Sequence, residues 1–228
     1  MRQVVNSYFL YFSFINSYMM NSLPEKTIER LSEYRRTLFR CLDEGKTHIF
    51  SHELADLHNI TAVQVRRDIM FMGYASQGRK GYDITELIQV IGKILDPTDV
   101  LNIAIVGYGH LGKAISSYLL NRRPNLKIVA AFDIDPKKIG SNSVVTCYSV
   151  DRLREIISAS NISLALLTVS AAAAQQMAKA LVASGIKGIL NFTSANLSVP
   201  PDIYLEEYDM ITLLEKVAYF VKMAERLS

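Results

Sequence analysis

The sequence predicts an α/β chain in two parts. An N-terminal winged helix-turn-helix domain spans residues 23–96. A Rossmann-like parallel-sheet domain spans 97–210 and hands on to a C-terminal helix over 211–228. Three observations carry this. The apolar residues Ile103, Ala104, Ile105 and Val106 run into Gly107-Tyr108-Gly109-His110-Leu111-Gly112, and a helical pattern follows. Downstream, strand-length apolar runs alternate with helical ones, the order that builds a parallel sheet with right-handed crossovers. Upstream, two short helical segments flank a tight polar break and precede a glycine-flanked pair of cations.

The glycine loop has the order strand, phosphate loop, helix. Gly107 permits the tight turn, Gly109 lets the backbone approach a pyrophosphate, and Gly112 lets the helix pack against the strand. Tyr108, His110 and Leu111 complete the loop, and the helix beyond aims its free N–H groups at the phosphates. A bare glycine fingerprint is weak evidence. This one gains from Lys127-Ile128-Val129-Ala130-Ala131-Phe132, a second strand ending at Asp133, about 20 residues past the glycines, the reach to a ribose 2′-OH. After the Asp135-Pro136 turn come a short strand near 144–148, a helix over 150–157, a buried strand at 162–169, a helix over 172–183 closed by Gly185, and a strand at 186–192. Ligands sit at the carboxyl ends of such strands. Thr168, Val169 and Asn191 are therefore either pocket-lining residues or strand ends satisfying local backbone groups.

In the N-terminal part, Pro24 and Glu25 open a helix whose Ile28, Leu31, Leu38 and Leu42 recur at helical spacing, with Gly45 as the stop. Ser51 suits the N-cap of a second helix, and His58-Asn59-Ile60 breaks it. Thr61 and Gln64 then fit a capping box. On this third helix Ala62, Val65, Ile69 and Met72 share the core face, while Gln64, Arg67, Asp68 and Phe71 lie elsewhere and Arg66 sits at the margin. Gln64 and Arg67 are the side-chain types that read adenine and guanine edges, in the first turns where a recognition helix meets bases. Tyr74 to Tyr82 reads as a wing, strand-capable at both ends, whose Arg79 and Lys80 reach phosphate or minor groove. The competing reading is a solvated face, because charges across 23–96 nearly cancel. Residues 83–95 form a linking helix, and Asp96-Pro97 ends the domain.

The 228 residues carry a net charge of +3, too small to imply nucleic acid by itself. Cys41 and Cys147 sit in apolar settings as buried free thiols, and no Cys/His cluster has metal-ligand spacing. The aromatic run within residues 1–22 is too short for a membrane span, which needs about 20 apolar residues. Its cleavage signals are poor, and translation is expected to start at Met19 or Met20. Leu213, Leu214, Val217, Phe220, Val221, Ala224 and Leu227 give the last helix a broad apolar stripe, which must cover its own core or a second subunit.

With these motifs in place, the chain resembles the Rex family of redox-sensing transcriptional repressors over residues 23–228. The resemblance rests on Arg30-Leu31-Ser32-Glu33-Tyr34, Gln64-Val65-Arg66-Arg67-Asp68, Gly81-Tyr82, the glycine loop, Phe132-Asp133-Ile134-Asp135-Pro136, Leu166-Leu167-Thr168-Val169 and Gly188-Ile189-Leu190-Asn191-Phe192. It implies a cytoplasmic homodimer with swapped C-terminal helices, for which NADH and NAD⁺ compete. It further implies that the NADH form closes and leaves a palindromic operator duplex, and that Arg36 pairs with Asp209 in one state only. The wing cations stand one position from the family's usual Lys-Arg-Gly run, and Met210 replaces an aromatic. The alternatives are an NAD-dependent dehydrogenase and a coenzyme A-binding ligase domain. The first needs a proton donor, yet His48, His52 and His58 lie in the N-terminal part and His110 faces phosphates. Asp133 argues against the second.

Overall fold

The computed structural model describes residues 23–75, 80–120, 122–140 and 144–225. The leader at 1–22 and the wing cation Arg79 lie outside the described residues. The chain divides into two compact units between Asp96 and Pro97.

The first unit holds α1 (Glu25–Asp43), β1 (His48–Ile49), α2 (Ser51–His58), α3 (Ala62–Phe71), β2 (Tyr82–Asp83) and α4 (Ile84–Leu95). Its core is one apolar cluster in which Leu31, Tyr34 and Leu38 of α1 meet Leu54, Val65 and Ile69 of α2 and α3, and Ile84, Leu87 and Ile91 of α4. Asn59 takes the left-handed conformation at φ 54, which its short polar side chain tolerates, and this turns the chain from α2 into α3. Thr61 then caps α3 by accepting the Gln64 N–H at 3.2 Å. The expected reciprocal half of that capping box is absent, because the Gln64 side chain goes to Asp68 instead. Ser51 is the first helical residue rather than the cap. The residue before it, Phe50, donates its N–H to Glu53 at 2.7 Å.

Two further expectations change. The wing strand β2 pairs with β1, antiparallel, His48 opposite Asp83 and Ile49 opposite Tyr82, and not with residues near Tyr74. Gly81 makes this possible: at φ +86, a Cβ there would lie 2.7 Å from the Ile49 carbonyl oxygen. Asp68, expected away from the core, is fully buried, because Arg30 and Tyr34 on α1 supply the charge and hydrogen bonds that let a carboxylate leave water.

The second unit contains β3 (Leu101–Val106), α5 (His110–Leu119), β4 (Leu126–Asp133), β5 (Cys147–Ser149), α6 (Leu153–Ala159), β6 (Ile162–Leu167), α7 (Ala171–Ala183), β7 (Gly188–Asn191), β8 (Tyr204–Glu207) and α8 (Met210–Glu225). The six strands form one sheet in the order β5-β4-β3-β6-β7-β8, all neighbours parallel. Strand alternation sorts its residues to two faces. Ala104 and Val106 join Leu153, Ile156, Ala174, Ala178 and Leu181 under α6 and α7. Ile103 and Ile105 join Ala131 and Leu166, with Ile115 and Leu119 of α5 packed on them. The chain reverses its direction of strand addition between β3 and β6, and the carboxyl ends beside such a switch point are where sheets of this kind take their ligands. The short strand expected near 144–148 is Cys147–Ser149, and the helix expected from 150 begins with a 3₁₀ turn.

Candidate cofactor site and nucleic-acid surface

The candidate site lies where three strand ends converge. Gly107 follows β3 at φ +96, and a Cβ there would sit 2.6 Å from the Thr168 carbonyl oxygen at the end of β6. Only glycine fits. Gly112 is equally constrained, since a Cβ would run into the Gly107 carbonyl. Gly109 is different: a Cβ there would meet nothing within 4 Å. Packing within the chain does not demand that glycine, and the open space over it suits a pyrophosphate lying against backbone. α5 starts at His110, immediately beyond, so its first-turn N–H groups and positive dipole end face this space. His110 and Leu111 are exposed at its rim, whereas the Tyr108 ring is buried and only its backbone serves the loop.

Asp133 closes β4. Its carboxylate accepts the Asp135 N–H at 2.9 Å and the Lys138 ammonium at 2.8 Å. Burial pushes the carboxyl upward, but these partners outweigh burial and hold it below the usual carboxylate range. Asp133 is thus a fixed anion, and these two bonds leave it acceptor capacity for a ribose hydroxyl. Lys138 had no signal beyond its place in a polar turn. The residues present therefore fit a dinucleotide.

Thr168 and Asn191 both bond within the chain. The Thr168 hydroxyl donates to the Gly107 carbonyl at 2.7 Å and ties β6 to the glycine loop. Val169 is half-buried just beyond it. The Asn191 side chain is fully buried: its amide donates to the Ala195 carbonyl at 2.9 Å, and its oxygen accepts from Thr193. These bonds support the local reading of Asn191 as a strand-end residue. Asp209 caps α8, accepting the Ile211 N–H at 2.9 Å and the Thr212 hydroxyl at 2.7 Å. α8 buries none of its residues, and Leu214, Val217 and Phe220 stand exposed.

On the first unit, α3 presents Arg66 and Arg67 to solvent, with Val63 and Met70 exposed beside them. Arg66 donates to the Ser51 hydroxyl at 3.1 Å and so holds to the start of α2. Lys80 is exposed next to β2. Arg36 is exposed on α1 and lines a cleft of about 450 Å³ with Glu33, Thr37, Arg40, Leu57, His58 and Asn59. Among the described residues no His/Cys/Asp/Glu group could hold a metal ion. No described helix is long and apolar enough to cross a membrane.

A cation-bearing helix-turn-helix on one unit and a candidate nucleotide site on the other define a class: ligand-responsive DNA-binding proteins. A family model described as "CoA binding domain" matches residues 98–195, and one described as "Putative DNA-binding protein N-terminus" matches 22–69. The redox-sensing transcriptional repressor Rex of Bacillus licheniformis is 37% identical over 203 residues, covering 89% of this chain and 94% of that one. Rex of Lactobacillus acidophilus is 36% identical over 200 residues, covering 87% and 95%. The crystal structure of RSP in complex with β-NAD⁺ and operator DNA superposes with a TM-score of 0.83 at 31% identity, covering 90% of this chain and 95% of that one. RSP in complex with β-NADH gives 0.80 at 30% identity, covering 90% and 97%. The chain belongs to the Rex family of redox-sensing transcriptional repressors.

Proposed function

We propose that this protein is a DNA-binding transcriptional repressor that senses the NADH/NAD⁺ ratio, releases its operator when NADH binds, and carries out no catalysis of its own. The observation that carries the reading is the open space over Gly109 beside the charge-fixed Asp133, in a chain whose α3 shows Arg66 and Arg67 to solvent. In this reading the backbone at Gly107, Tyr108, Gly109, His110, Leu111 and Gly112 cradles the pyrophosphate. Asp133 takes the ribose, and Thr168 and Val169 border the nicotinamide end. Asn191 acts through the loop it holds. Gln64, Arg66, Arg67, Arg79 and Lys80 face the duplex.

The exposed apolar stripe of α8 supports a homodimer, since an isolated subunit would leave it in water. Two α3 helices related by a two-fold axis call for a palindromic operator. A ligand shifts such a dimer only through different affinities for its open and closed forms, and Arg36 with Asp209 is the pair that would mark one of them. A duplex and a nicotinamide coenzyme as partners put the protein in the cytoplasm. The test is operator binding titrated separately with NADH and NAD⁺. NADH should release the duplex and NAD⁺ should not. Binding indifferent to NADH, or reduction of a 2-keto acid at the expense of NADH, would overturn the reading.

A further inference from the structure

Asp68 is the one acidic side chain of α3, and it is completely buried. Four donors converge on it. Arg30 Nε reaches Oδ2 and Nη2 reaches Oδ1, both at 2.7 Å, a two-pronged guanidinium–carboxylate pair. The Tyr34 hydroxyl donates to Oδ2 at 2.9 Å, and Gln64 Nε2 donates to Oδ1 at 2.9 Å. Arg30 and Tyr34 suffice to compensate the charge, so the Gln64 contact calls for its own explanation.

That contact restricts an otherwise ambiguous group. A free glutamine amide can turn over and exchange its oxygen for its nitrogen at little cost. An ionised carboxylate accepts only, so it must be met by the NH₂. The Gln64 oxygen is thereby turned away from Asp68, together with the second N–H. A carbonyl oxygen and an N–H side by side are what a glutamine needs to take the N6–H and N7 of adenine together. The clamp lies within hydrogen-bond reach of α1, so the first helix also sets how the third presents this amide.

We propose that Asp68 is a positioning residue for base recognition: anchored to α1 by Arg30 and Tyr34, it locks the Gln64 amide in the one orientation that reads adenine. The proposal rests on α3 as the recognition helix and assigns the protein an adenine preference at one position of each half-site.

The test is selection of the full-length chain on a pool of randomised palindromic duplexes, comparing the native protein with Gln64→Ala, Asp68→Asn and Arg67→Ala. Gln64→Ala should abolish the preference for adenine at one position. Asp68→Asn should reduce the same preference at least about fivefold, because asparagine accepts either face of the amide, and leave the other positions and NADH affinity unchanged. Uniform weakening at every position, or an intact adenine preference, would reduce Asp68 to a structural role and overturn the proposal. A profile altered by Arg67→Ala but not by Gln64→Ala would overturn the proposal alone. A profile altered by neither would remove α3 as the reading helix as well. A second readout needs no Asp68 variant: the Gln64 side-chain NH₂ resonances, assigned by their loss in Gln64→Ala, should exchange with solvent several-fold more slowly than those of the exposed Gln89. Equal exchange would refute the clamp.

Discussion

Three glycines of one loop answer to different forces, and single substitutions separate them. Gly107→Ala forces a side chain into a positive-φ backbone against the Thr168 carbonyl, so it should destabilise the second unit by about 1–3 kcal/mol or more, read as a lowered thermal midpoint. Gly109→Ala meets no protein atom within 4 Å. It should leave the thermal midpoint nearly unchanged and still weaken NADH binding, and unimpaired binding would mean the pyrophosphate lies elsewhere. Asp133→Ala should cost NADH about 1.5–3 kcal/mol, the worth of a hydrogen bond to a charged group, seen in a fluorescence titration. His58 adds a pH dependence to the first unit. Burial lowers its pKa, and nearby Arg36 and Arg40 add to this against the opposing pull of Glu33 at 3.7 Å. A histidine that resists protonation when folded contributes stability above its unfolded pKa of about 6.5 and loses it as pH falls through that region. The denaturant midpoint should therefore drop between pH 7.5 and 5.5, and by less in His58→Gln. At this scale Gly107 and Gly112 were legible because backbone sterics impose glycine at fixed spacing, and Asp133 was legible as the end of its strand. Asp68 and Lys138 were not. Periodicity sorts residues by polarity, and a buried carboxylate looks polar until its partner on another helix is known.

Helices declare themselves through caps, and most but not all of these were readable: Thr61 caps its helix and Gly45 takes positive φ at the marked stop, whereas Ser51, expected as a cap, lies inside its helix. Removing one of these groups tests the reading locally: Thr61→Ala frees the Gln64 N–H and should destabilise the first unit by about 1 kcal/mol in a denaturant titration. Strands were harder. β8 joins the sheet edge beside β7 with Gly188 opposite Tyr204, yet its four residues Tyr204, Leu205, Glu206 and Glu207 carry little apolar alternation. An edge strand buries one flank at most, so its sequence is under weak hydrophobic constraint. The two-residue strands β1 and β2 lack a period altogether, which is why the wing's partner was misplaced at Tyr74.

At the scale of the whole molecule, α8 makes the strongest demand. A helix of sixteen residues with none buried leaves much apolar surface in water. If the proposed homodimer is held by this helix, deleting residues 211–228 should yield a monomer by size-exclusion chromatography with light scattering. Operator affinity should fall steeply, because two half-sites would no longer be bound as one event. A truncated chain that stays dimeric would move the interface elsewhere.

Cys147 begins β5 in register with Ala131, two residues before Asp133 along the neighbouring strand, and only 1% of it reaches solvent. Burial and the nearby Asp133 carboxylate both push its thiol up, so it stays protonated and a poor nucleophile. Cys41 is likewise buried. Peroxides and alkylating agents accordingly find no ready thiolate among the described residues. Neither cysteine is thus placed to serve as a direct peroxide sensor, which leaves the proposed response to redox state to the diffusible coenzyme.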